Sequence, residues 1–111
     1  PDGFSISISS ANRGFLKLNA NTNLENERCA MRIKAVMENS DRYDSLTLNG
    51  ESSKMNRFLA MRNHADISIE ARGTNLAPMI NNSLTLTLRT TRRALVVGSY
   101  SDTLTITVAN L

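Results

Sequence analysis

One histidine, one cysteine and a few spaced carboxylates are the residues of this chain whose types could do chemistry. His64 would have to serve alone as general base, nucleophile activator and metal ligand. In the context Arg62-Asn63-His64-Ala65-Asp66 it reads as a surface or strand-end residue. Cys29 can make neither an internal disulfide nor a cysteine-based zinc site, and reads as a small buried hydrophobe. Asp41 and Asp44 flank Tyr43, but the ordered ladder of oxygen ligands that a calcium loop needs is missing. No glycine-rich phosphate loop, nucleophile elbow or paired-histidine spacing occurs. These residues predict no catalysis and imply no cofactor and no metal.

The binding chemistry that remains is strand pairing. After the turn signal Gly98-Ser99, Leu104, Ile106 and Val108 alternate with Thr103, Thr105 and Thr107. Side chains of a strand alternate faces, so one face is apolar and β-branched residues stand on both. Such a strand must lie inside a sheet or pair with something from outside, because an open apolar edge invites aggregation. An extended segment added to a sheet edge gains main-chain hydrogen bonds for affinity and side-chain pockets for specificity. Each inserted Leu, Ile or Val would contribute about 1.5–3 kcal/mol. The plainer alternative is a core that the chain completes by itself.

Short alternating segments position this strand. Phe4, Ile6 and Ile8 face inward between serines, and Phe15–Leu18 follows Arg13-Gly14. Cys29, Met31, Ile33, Ala35 and Met37 share a face at period two. Their residue types would also suit a helix, but strands on either side favour a strand. Ser45–Leu48 ends at the turn pair Asn49-Gly50, both of which tolerate positive φ. Lys54–Arg62 is the least strand-like stretch and predicts a short helix or an irregular crossover. Ala65–Ala71 alternates again, Pro78 breaks the chain, and Leu84, Leu86 and Leu88 form a second clean inward face. Many short strands separated by turn chemistry predict an antiparallel β-sandwich of immunoglobulin-like size, in a single domain spanning 1–111.

The composition agrees, with 41% hydrophobic and 5% aromatic residues and no Trp, which requires an aliphatic core. A net charge of +3 from thirteen basic and ten acidic residues is mild. Arg89–Arg93, the densest basic cluster, reads as a solvated corner. Phe4, Phe15, Tyr43, Phe58 and Tyr100 are not interleaved with arginine as a base-stacking platform requires, so no nucleic-acid partner is expected. No apolar run is long enough for a membrane span. The start at Pro1-Asp2-Gly3, without an initiator Met, suggests a processed product or an excised domain.

The run Gly98-Ser99-Tyr100-Ser101-Asp102-Thr103 and the alternating residues after it resemble the C-terminal strand of chaperone–usher pilus subunits. The similarity points to the spore coat protein U-like, archaic branch, where a Gly-x-Tyr-x-Asp-Thr start precedes such a strand. The single Cys29 brings in the colonisation-factor branch, whose major subunits can lack cysteine. The resemblance implies an immunoglobulin-like sandwich lacking its last strand, with a groove beside the final strand lined by Tyr100, Leu104, Ile106 and Val108. It implies neighbouring pilus subunits, a periplasmic chaperone and an outer-membrane usher as partners, a host receptor where the chain is adhesive, and export through the periplasm to a surface pilus. Residues 1–10, with Phe4, Ile6 and Ile8, are then either a donor segment or the first core strand. The chain would be a shaft subunit or the pilin-like domain of a two-domain tip adhesin. The competing expectation is a complete immunoglobulin-like cell-surface module that binds glycans or proteins through its loops.

Overall fold

The computed structural model of the chain describes residues 3–63, 66–73, 83–90 and 95–111. Among them are the strands β1 (Gly3–Ser10), β2 (Phe15–Lys17), β3 (Arg28–Met37), β4 (Ser45–Leu48), β5 (Leu59–Ala60), β6 (Asp66–Arg72), β7 (Leu84–Thr90) and β8 (Leu104–Asn110). The helical segments among the described residues are three-residue 3-10 turns. The 54–62 stretch is an irregular crossover, holding the two-residue β5 between the turns Ser52–Lys54 and Met61–Asn63.

The strands form two sheets, and every pairing is antiparallel. One sheet has the order β4-β6-β1-β8. The other is built on β3, which pairs with β2, β5 and β7. Arg32 and Ile33 register with both β5 and β7, so those two strands lie on opposite edges of β3. The architecture is all-β, two antiparallel sheets around a shared core.

Period-two patterning explains the core. Cys29, Met31, Ile33, Ala35 and Met37 of β3 are all buried, so the strand reading outweighs their helical propensity. Across the core, β1 contributes Phe4, Ile6 and Ile8, and β6 contributes Ile67, Ile69 and Ala71. Phe4 meets Tyr43 edge-on, with ring centroids 6.0 Å apart, a favoured aromatic geometry. Asn49 and Gly50 both take positive φ, as the turn after β4 requires.

A corner links the sheets. β1 ends at Ser10, the chain turns through Arg13 and Gly14 at positive φ, and β2 continues in the second sheet. The segment leading into β8 follows the same corner. Ser101 pairs with Lys17 of β2, Thr103 accepts from the Ala11 N–H, and Leu104 then registers with Ser10 of β1. A side chain at Gly14 has no room there, since a Cβ would sit 2.6 Å from the Arg62 nitrogen.

Candidate functional site

β8 is placed by alternating register and by one carboxylate. Ile6 registers with Val108, Ile8 with Ile106 and Ser10 with Leu104. Cross-strand partners in a sheet share a face, so Leu104, Ile106 and Val108 stand on the core side with Ile6 and Ile8. They are far less covered. Ile8 is 1% exposed, whereas Ile106 is 53% and Val108 47% exposed, and only Leu104 packs partly onto the core.

The backbone phase matters equally. The Ala11 N–H donates to Thr103 O, and the Leu111 N–H donates to Gly3 O. Successive residues of an antiparallel strand direct their N–H and C=O to opposite edges. Odd-numbered residues of β8 therefore bond β1, and Leu104, Ile106, Val108 and Asn110 direct their backbone groups to the other edge. Among the described residues no strand pairs with that edge. The same residues thus present an under-covered apolar row and an open hydrogen-bonding ladder.

Asp102 fixes the start of this edge. One carboxylate oxygen accepts the Asn12 N–H at 2.9 Å and the Thr103 N–H at 2.8 Å. The other accepts the Ser10 hydroxyl at 2.5 Å. Ser10 Oγ in turn accepts the Gly14 N–H at 2.8 Å, and the Asn12 side-chain amide donates to Ser101 O at 3.0 Å. The turn, the corner and the first residue of β8 are pinned together by one charged acceptor, and such bonds are stronger than neutral ones.

Tyr100 is not brought to the apolar row. It precedes the bridge at Ser101, and its hydroxyl donates to Val96 O at 2.5 Å, with Asn26 O at 3.2 Å as a second acceptor. Partial burial, then the nearby Glu27 carboxylate and Cys29, raise its hydroxyl above the usual value of 10.0. Tyr100 thus clamps the approach to β8, its hydroxyl bonding Val96 and Asn26, while Leu104, Ile106 and Val108 follow along the strand. Phe4, Ile6 and Ile8 act as a core strand of this chain. β1 uses both its edges, with β6 on one side and β8 on the other, and all three side chains are buried.

β7 carries a second row of this kind. Leu84, Leu86 and Leu88 register with Met37, Ala35 and Ile33 of β3, so they share the core face. Leu84 and Leu86 pack partly on the core, but Leu88 is 49% exposed. β7 pairs with β3 alone among the described residues.

Among the described residues no group of His, Cys, Asp or Glu could hold a metal ion. His64, Arg92 and Arg93 lie outside the described residues. Cys29 is buried in the core face of β3. Asp102 and Ser10, which sequence reasoning did not single out for this role, are 92 residues apart. The signal that could have found the carboxylate was its place between a turn and a strict alternation. The chain was compared with protein-family models, curated proteins and solved structures, and no match was found in any of the three.

Proposed function

We propose that this chain is a structural or adhesive subunit domain of a bacterial surface pilus, assembled by donation of a strand from another molecule. The proposal includes an immunoglobulin-like sandwich one strand short, delivery by a periplasmic chaperone and usher, and no catalytic role. What carries it is the β8 edge, where Leu104, Ile106 and Val108 combine half-covered apolar side chains with an outward backbone ladder. A donated strand laid there would bond that ladder and place alternate side chains over Ile106 and Val108. Each side chain so buried contributes about 1.5–3 kcal/mol, and strand addition is a known mode of peptide recognition. The two rows on β7 and β8 also fit a fold that two edges leave unfinished.

The test appends a second copy of segment 1–10 to the C-terminus through a flexible Gly/Ser linker. Its control has Ser in place of the appended Phe, Ile and Ile. We expect the apolar copy to raise the thermal midpoint by on the order of 10 °C over the control. Equal midpoints would overturn the proposal and favour a module whose sheets need no added strand.

A further inference from the structure

We propose that the outer face of the β3-centred sheet binds a sulfated polysaccharide, with one sulfate group seated between Arg28, Arg32 and Arg62. This inference is independent of the β8 edge.

Folding gathers cations that the sequence scatters. The core face of β3 holds its odd-numbered residues, so Arg28, Arg32 and Lys34 stand on the outer face. Register adds Lys17 opposite Arg28 and Arg89 opposite Arg32. Arg28 to Lys34 spans about 20 Å along the strand. Arg62 joins them at the rim of a cavity of about 150 Å³, which Arg28, Arg32, Phe15 and Glu25 also line. That volume is about ten times what one water needs, enough for a compact tetrahedral oxyanion.

None of the six cations makes an ion pair with a described residue; the two ion pairs among described residues join Lys54 to Glu51 and Arg72 to Glu70. Glu25 is the single acid among the described residues lining the cavity. Arg28 Nε is buried there without a hydrogen-bond partner, an arrangement that costs stability. The outer face of the other sheet contrasts with this one. Serines 5, 7 and 9 of β1, threonines 105 and 107 of β8, and Asp66, Glu70 and Arg72 of β6 leave it without a cationic surplus. Among the described residues the cationic surplus therefore lies on the outer face of the β3-centred sheet, which steers a polyanion to that face.

The rings on this face discriminate between polyanions. The Arg28 guanidinium lies 4.4 Å from the Phe15 centroid. Phe58 carries Arg89 at 4.0 Å and the Lys34 ammonium at 5.1 Å. These cation–π contacts hold the charges outward and occupy the rings that would stack nucleobases. A chain of sulfated sugars needs charge and a flat track, which the face supplies. A nucleic acid would lose its stacking partners.

The experiment measures heparin affinity of the full chain by calorimetry at physiological salt, with single-stranded and duplex DNA in parallel. Arg32→Thr, Lys34→Thr and Arg89→Thr are combined in one variant, because Thr suits a strand. Arg62→Ser is made separately as a single change at the cavity. Arg42→Ser, and Arg72→Thr on the outer face of the other sheet, serve as single-charge controls for Arg62→Ser. We expect at least roughly tenfold weaker heparin binding for the triple variant, since three surface contacts each contribute a factor of a few. Arg62→Ser should weaken binding several-fold, and the controls should differ little from the parent. Thermal unfolding must show each variant folded, and Arg62→Ser decides the matter alone if the triple variant is not. Equal losses in face and control variants would overturn the proposal, as would DNA binding as tight as heparin binding, or no heparin binding at all.

Discussion

Ile8 and Ile106 are direct cross-strand partners on the core side of one sheet, yet Ile8 is 1% exposed and Ile106 is 53% exposed. The pair marks where the core stops, since β8 lies outside β1 and has no described strand beyond it. The same chemical truncation should therefore cost different amounts at the two positions. Ile8→Ala empties a packed site and should destabilise by about 2–5 kcal/mol. Ile106→Ala removes atoms that water already touches, and should cost about 1 kcal/mol or less. Urea unfolding of both variants measures the difference, and equal losses would mean that the β8 row is packed after all.

The Asp102 carboxylate should be the main tie between β8 and the corner. Asp102→Ala strands the Ser10 hydroxyl and the amides of Asn12 and Thr103. Hydrogen bonds to a charged group are worth more than neutral ones, so a loss of roughly 2–4 kcal/mol is expected. Asp102→Asn keeps an acceptor and should lose less. Hydrogen exchange localises the effect: the Thr105 and Thr107 amides should exchange faster in the Ala variant, while those of β6 change less. Uniform acceleration across both sheets would contradict the assigned tie.

Much of this architecture can be read from local pattern. Cys29 to Met37 alternates strictly, and the inward set is the buried set. Asn49-Gly50 marks a turn because both residues can take positive φ, and both do. What could not be read is contact across long separations. Nothing near Ser10 announces Asp102, and nothing in Phe4–Ile8 says that β6 and β8 will flank it. Leu88 has the same local pattern as Ile33, yet it stands on an edge and stays half exposed. Burial depends on the neighbours a strand receives, which its own alternation does not encode. The basic face escaped for a related reason: Lys17, Arg62 and Arg89 join Arg28 and Arg32 only when their strands and turns are brought together. Arg28, Arg32 and Lys34 at even spacing on one strand were the available hint.

Tyr100 makes alkaline stability a readable quantity. Partial burial and the nearby negative charge of Glu27 raise its pKa above 10.0, so the folded chain holds the phenolic proton more tightly than the unfolded chain does. A raised pKa on an acid contributes stability that is fully present below the unfolded value and is lost as pH rises through the folded one. Stability should therefore fall as pH climbs past about 10. Tyr100→Phe should flatten that decline while losing the hydroxyl's bonds to Val96 and Asn26. Urea midpoints measured across the alkaline range decide it, and a decline unchanged in Tyr100→Phe would remove Tyr100 as its cause.

The open edges should also govern self-association. Each pairs with any extended segment that offers a ladder, including one from another copy, and natural sheets prevent this with inward-pointing charges. Ile106→Lys places such a charge on the row. Because the site is already 53% exposed, the lysine stem can lie along the apolar surface with its ammonium in water. The fold should survive with a loss of roughly 1 kcal/mol, whereas a charge at the fully buried Ile8 should unfold the chain. Light scattering over a concentration series should show oligomers for the parent chain and their loss in Ile106→Lys. The appended apolar segment should then no longer raise the thermal midpoint of that variant. If it still did, the donated strand would lie elsewhere, and β7, with Leu88 exposed at its edge, would be the next strand to charge in the same way.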